Sequence, residues 1–207
     1  MSAFRTEQEG FWAGDFGTKY IGRNSDPASV AKRAFYWGKI LNSTRGVKSC
    51  LELGANIGLN AFAIRSSLPA CQFTGVEINA AAVEQLKAIP NITAHHGSIL
   101  DFTTAQLGRH DLTFTSGVLI HLNPDVLPAA YERLYECSTK YVVVIEYYNP
   151  SPVEIDYRGH TSRLFKRDFA GDLMDKYPDL QLVDYGFQYH RDPNFPADDL
   201  TWFVLKK

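Results

Sequence analysis

The spacing of apolar and polar positions changes several times along the chain, and each change predicts an element. Val30, Ala34, Trp37 and Leu41 recur three or four residues apart, the spacing of one helix face. Asp26-Pro27 ahead of them supplies a helix start, an N-cap followed by a residue suited to the first helical position. Apolar runs and helical stretches then alternate. Strands are predicted over 47–53, 72–78, 92–95, 111–115 and 141–146, with helices over 58–67, 80–88 and 124–137, the last begun by Asn123. The run from Tyr141 to Ile145 hardly alternates, as expected of a strand covered on both faces of a parallel sheet. Repeated strand–helix units predict an α/β fold with a doubly wound, Rossmann-like, mostly parallel sheet. Beyond residue 149 the pattern changes. Residues 149–163 read as a loop, 166–177 as a helix, and 180–190 with 200–206 as an antiparallel C-terminal hairpin that completes seven strands. Residues 1–25 have no clear period but carry Phe11, Trp12, Phe16 and Tyr20. Disordered tails are poor in aromatics, so an ordered helical lid is expected there.

Composition narrows the partners. With 207 residues, 45% of them hydrophobic, the chain suits one domain with a substantial core. A net charge of −2 leaves no basic excess to neutralise a phosphate backbone, so no nucleic-acid partner is expected. No apolar run approaches the roughly 20 residues that span a bilayer. The first residues lack the basic-then-apolar order of a secretion signal. Cys50, Cys71 and Cys137 are scattered and odd in number, which suits buried reduced thiols better than disulfides or a metal site. A cytoplasmic protein without a metal is expected, acting on a small molecule and possible as a homodimer.

The stretch Cys50-Leu51-Glu52-Leu53-Gly54-Ala55-Asn56-Ile57-Gly58 runs from a strand through a glycine turn into a helix. Glycines there let the backbone turn sharply and approach a ligand closely. Glu77, 23 positions after Gly54, ends the next strand, where an acid can accept hydrogen bonds from both ribose hydroxyls. A dinucleotide fingerprint is broken, because Asn56 and Leu59 stand where its second and third glycines would fall. Glu52 would also repel a pyrophosphate. A sulfonium ligand bearing an α-ammonium is compatible with that carboxylate.

Glu52-x-Gly54-x-Asn56-x-Gly58, followed by Glu77-Ile78, resembles the first two cofactor motifs of the class I S-adenosylmethionine-dependent methyltransferases, with Asn56 in place of the middle glycine. The resemblance continues through Gly97-Ser98-Ile99, where Ser98 takes the place of an acid that contacts the adenine, and through Gly117 to His121, beside the methionine end of the cofactor. A narrower likeness covers nearly the whole chain. Phe11 to Gly17, Tyr20 with Arg23-Asn24, Glu146 to Pro152, Tyr157 to His160 and Tyr189 to Pro196 are similar to the methylases associated with pseudaminic acid biosynthesis. The resemblance implies one methyltransferase domain: a lid and helix over 1–45, a cofactor-binding core over 46–148 and a substrate side over 149–207. It implies S-adenosylmethionine as cofactor and an acidic amino sugar, or its nucleotide-linked form, as the acceptor of an N- or O-methylation.

The expected cofactor site comprises Trp12, Tyr20, Arg23, Glu52, Gly54, Asn56, Gly58, Glu77, Ile78, Ser98, Ile99 and Gly117, with Tyr20 and Arg23 clamping the cofactor carboxylate. Methyl transfer needs alignment and water exclusion, and a base only where the acceptor must lose a proton. His121, Glu146, His160 and His190 are the candidates for that base. Tyr147, Tyr148, Tyr157, Arg158, Arg191 and Asp192 are expected to hold the acceptor, and their mix of tyrosines, cations and an acid points to a polar, zwitterionic molecule. A guanidino or amidino compound such as arginine fits as well. A protein of this fold that binds the cofactor without chemistry is the alternative of a different class.

Overall fold

The computed structural model describes residues 4–24, 26 and 28–207. The chain begins with two short helices, α1 (Glu7–Ala13) and α2 (Asp15–Ile21). Thr6 starts α1 with a capping box: its hydroxyl accepts from Glu9 N while the Glu9 carboxylate accepts from Thr6 N. Helix α3 (Ala28–Ser43) follows. Asp26 Oδ1 accepts from Ala28 N at 2.9 Å, as expected of the cap, whereas the expected role of Pro27 lies outside the described residues. Tyr36, Trp37 and Ile40 are the buried residues of α3, and the expected Ala34 and Leu41 pack, partly buried, against the same core.

The core then alternates: β1 (Ser49–Leu53), α4 (Leu59–Ser67), β2 (Gln72–Glu77), α5 (Ala80–Lys87), β3 (Ile92–His96), α6 (Thr104–Leu107), β4 (His110–Ser116), α7 (Leu127–Glu136) and β5 (Ser138–Glu146). Helix α6 is an addition to the predicted set, one turn held by a Thr103/Gln106 capping box. The predicted helix over 124–137 starts as a short 3₁₀ turn, Pro124–Val126, before α7. Asn123 caps that turn, and Pro128 near the start of α7 has no amide hydrogen to continue it. The loop after β5 holds a two-residue ladder, β6 (Val153–Glu154) with β7 (Phe165–Lys166); α8 (Phe169–Lys176), β8 (Gln181–Gln188) and β9 (Leu200–Lys206) complete the chain.

The seven-stranded sheet has the order β3-β2-β1-β4-β5-β9-β8, parallel except where β9 runs against β5 and β8. Two cores line its faces. Leu51, Leu53, Val142 and Val144 pack with Leu127, Leu134, Phe169 and Leu173 of α7 and α8. Cys50, Phe114, Val143 and Ile145 pack with Trp37, Ile40, Ala61 and Ile64 of α3 and α4. Cys50, Cys71 and Cys137 are buried and free. No helix among the described residues is long and apolar enough to cross a membrane. The strand order reverses between β1 and β4, and a ligand crevice is expected beyond the carboxyl ends of those two strands.

Candidate active site

That crevice holds a cavity of about 370 Å³. Its floor is the turn after β1. Gly54 N and Ala55 N both donate to Val76 O, at 2.8 and 2.9 Å, which bends the chain tightly over the end of β2. Gly54 has φ +81, and a Cβ there would lie 2.4 Å from Val118 Cγ2, so a side chain is excluded on two counts. Asn56 adopts φ 46, a left-handed conformation that Asn tolerates better than most residues, so it serves in place of the middle glycine. Gly58 does not line the cavity. Its missing side chain makes room for Ile89 and Leu86 beneath the turn. Glu77 closes β2 with its carboxylate fixed between Asn79 N and Asn56 N, both at 2.7 Å. Ile78, Ser98 and Ile99 continue this wall, and Gly117 faces it from the end of β4.

Glu52 is the most buried acid that lines the cavity. Its side chain is 1% exposed. Tyr36 Oη and Trp37 Nε1 donate to Asn60 Oδ1, at 3.1 and 3.0 Å, and Asn60 Nδ2 donates to Glu52 Oε1 at 2.5 Å. Glu52 Oε2 is buried and has no hydrogen-bond partner among the described residues. Burial raises the Glu52 carboxyl to about 8, against the opposing influences of Asn60 and the Arg33 guanidinium. Arg33 lines the same end of the cavity, and its buried Nε lacks a hydrogen-bond partner among the described residues. The sequence reading missed Tyr36, Asn60 and Arg33. Asn60, in the first turn of the helix that follows the glycine turn, was the signal available.

The opposite end is aromatic. Trp12, Tyr20, His121, Tyr147 and Tyr157 line it, with the Trp12 ring 4.7 Å from His121 and His121 4.9 Å from Tyr157. His121 Nδ1 lies 2.6 Å from Arg163 O. A carbonyl only accepts, so this contact places the proton on Nδ1 and leaves Nε2 with its lone pair. Burial lowers the His121 pKa to about 4, which keeps the ring neutral. Asp198 and Arg23 also line the cavity. Burial and the nearby Asp198 carboxylate raise the Tyr147 phenol.

A two-part roof covers this end. Gln8 Nε2 donates to Ser162 O at 2.9 Å, and Arg163 pairs with Glu7 at 3.2 Å. Phe11 and Phe16 stack face to face, with His160 edge-on to both. Asn79 ties α2 to the core, its Nδ2 reaching Thr18 Oγ1 at 3.0 Å and Trp12 O at 3.2 Å.

Several expected residues lie off the cavity wall. Glu146 shares the face of β5 that carries Val142 and Val144, and its carboxylate turns into the protein to accept from Val118 N and Leu119 N. It is 2% exposed and does not reach the acceptor end. His160 is part of the roof. His190 is exposed and bound to Asp199, Nδ1 to Oδ2 at 2.8 Å, across the hairpin end. Asp192 accepts from Asn194 N and Phe195 N and so caps a turn. Arg191 is exposed beside it. Tyr148 packs on Phe203 on the outer sheet face. Arg158 stacks on Tyr157 from outside, 5.5 Å from the ring. The 189–199 loop does reach the cavity, but through Pro196, Ala197 and Asp198, because Phe195 stacks on Phe35 of α3 and pins the loop there.

Residues 50–140 match the family model of a methyltransferase domain. A search of curated proteins gives no match. Solved structures share the fold at low identity. The magnesium protoporphyrin IX methyltransferase of Synechocystis, with bound S-adenosylmethionine, is 10% identical over 100% of both chains with a TM-score of 0.68. Human N-acetylserotonin methyltransferase, also with S-adenosylmethionine, is 16% identical over 95% of this chain and 57% of that one, with a TM-score of 0.65. The N-terminal domain of EvdMO1, solved with S-adenosylhomocysteine and D-fucose, is 13% identical over 84% of this chain and 82% of its own, with a TM-score of 0.60.

Proposed function

We propose that this chain, a methyltransferase that uses S-adenosylmethionine as its cofactor, methylates a small acidic amino sugar or its nucleotide-linked form, with His121 facing the acceptor. The observation that carries the reading is one cavity with an unpartnered buried carboxylate oxygen, Glu52 Oε2, at one end and a buried neutral imidazole, His121, at the other. The residues fit the cofactor. Glu77, held at the rim by two amides, retains lone pairs for the ribose hydroxyls. Glu52 and Arg33 suit the ammonium and carboxylate of the methionine end. When bound, S-adenosylmethionine supplies a methyl group on a positively charged sulfur.

The protein supplies position, dryness and proton handling. The roof keeps water from the aromatic end. His121 Nε2 can take the proton that an acceptor hydroxyl or ammonium must release. Tyr20, Tyr147, Tyr157 and Asp198 offer hydroxyls and a carboxylate to a polyhydroxylated acceptor bearing a nitrogen. The sugar in the EvdMO1 structure and the likeness to pseudaminic acid-associated methylases support a sugar acceptor. Asp198 beside three tyrosines favours the second reading, a guanidino acceptor paired to that carboxylate. Transfer of labelled methyl from S-adenosylmethionine to a panel of acidic amino sugars, their nucleotide conjugates and guanidino compounds decides between them. No transfer to any member, with the cofactor tightly bound, would leave a non-catalytic binding role.

Two cofactor predictions follow from the geometry. Glu77→Ala is expected to weaken S-adenosylhomocysteine binding by about 1–3 kcal/mol, the scale of hydrogen bonds to a charged group; unchanged affinity in calorimetry removes Glu77 from the ribose site. Glu52, raised to about 8, is largely protonated at neutral pH before the ligand arrives. An ammonium on Oε2 favours the ionised form, so binding releases a proton. Affinity should therefore rise as pH increases toward about 8, above which the ligand's own ammonium begins to lose its charge. Calorimetry in buffers of different ionisation enthalpy measures that proton, and no proton release at pH 7 would place the ammonium elsewhere.

A further inference from the structure

We infer that Glu146 is a positioning residue: its buried carboxylate holds the backbone of residues 118–120 and thereby sets the glycine turn and His121 against the two ends of one cavity. The inference rests on the reading of His121 as the group that faces the acceptor. Glu146 Oε1 accepts from Val118 N and Leu119 N, both at 3.1 Å, and Oε2 lies 3.5 Å from Ile120 N. These amides open the 3₁₀ turn Leu119–His121, whose first N–H groups have no partner within the turn. Burial raises the Glu146 carboxyl to about 7, and the three amides oppose that shift because they favour its ionised form, with which they make charge-assisted bonds. The neighbouring cation does not compete, because Arg167 is paired with Asp172 at 2.8 Å.

The segment so held touches both ends of the cavity. Val118 lines the cavity and closes over Gly54 so tightly that a Cβ on Gly54 would overlap it, so a displaced Val118 reshapes the wall beside the glycine turn. His121, at the far end of the turn, is fixed from its other side by Arg163 O at 2.6 Å. Movement of the turn would lengthen that contact and free the ring to exchange tautomers. Glu146 itself, off the cavity wall, contacts neither ligand.

The test needs no acceptor. In Glu146→Gln the shape is kept, but one of the two acceptor oxygens becomes an NH₂ group facing amide hydrogens. The expected result is a folded protein that binds S-adenosylhomocysteine roughly tenfold more weakly, the scale of one lost charge-assisted hydrogen bond. Nitrogen-15 spectra should show His121 losing its fixed Nδ1–H form and titrating closer to an ordinary histidine. In the unaltered protein, the amide protons of Val118 and Leu119 should resonate downfield, as donors to a carboxylate do; this measurement holds even if the variant does not fold. Ordinary amide shifts, or a folded variant with unchanged affinity and unchanged His121 spectra, would overturn the inference. A methylation assay negative on every acceptor would overturn the acceptor reading and leave both of these readouts intact.

Discussion

Replacing His121 by alanine is expected to lower methyl transfer by roughly 10²-fold to 10⁴-fold, the usual contribution of a positioned proton acceptor, while S-adenosylhomocysteine affinity changes little. His121 is the only one of the four candidate bases that lines the cavity among the described residues. Its Nδ1 proton is committed to Arg163 O, so Nε2 is the nitrogen left for chemistry. The pH dependence carries a distinct sign. Burial lowers the ring to about 4, so it remains a neutral acceptor at every pH above that value and is lost as an acceptor only below it. The His121-dependent acid limb of kcat/KM should therefore lie near 4, well below the ordinary histidine range. Glutamine at the same position, which keeps a polar tip without basicity, should not restore the rate. Near-normal turnover of His121→Ala on an acceptor that must lose a proton would exclude His121 as the base, and the hydroxyls of Tyr20, Tyr147 and Tyr157 would be examined next.

The cofactor end was legible because its signal is local. One glycine turn between a strand and a helix, with an acid closing the next strand, specifies backbone shape over a few dozen residues, and Glu52, Gly54, Asn56 and Glu77 fall on the cavity wall as that pattern implies. The acceptor end is assembled from four distant segments, and no single stretch carries its geometry. Glu146 shows the limit most clearly. Its place at the end of β5 could be read from the apolar run, but the face on which its side chain leaves the strand depends on register, and a shift of one residue exchanges the two faces. The polar residues of the 189–199 loop illustrate the same limit. His190 and Asp192 bind within their own loop, whereas the less conspicuous Asp198 reaches the cavity because Phe195 is anchored on Phe35. Arg33 lies on a helix whose turn-by-turn pattern announces a buried face, and that pattern does not reveal which polar neighbour of the face meets a ligand.

Deleting residues 1–24 is expected to abolish methyl transfer and weaken S-adenosylhomocysteine binding by at least tenfold, while the sheet stays folded. The two large cores that pack the sheet contain no buried residue earlier than Tyr36, so their apolar burial survives the deletion. What is lost locally is the small cluster of Ile21 with Ile57 and Ala82, and the acceptors that α1 and α2 offer to Asn79 Nδ2. Asn79 also donates its backbone N–H to Glu77, so slackening there reaches the expected ribose site. The catalytic loss should be far larger. Trp12 packs directly on His121, Gln8 holds the Ser162 carbonyl, and Glu7 holds the side chain of Arg163, whose carbonyl in turn fixes the His121 ring. Without them the aromatic end opens to water and the imidazole loses its carbonyl partner, removing dryness and orientation together. Far-ultraviolet circular dichroism and a cooperative melt establish whether the truncated sheet is intact, and labelled-methyl transfer measures the rest. A folded truncation that turns over at the full rate would show that the N-terminal helices are not part of the active site.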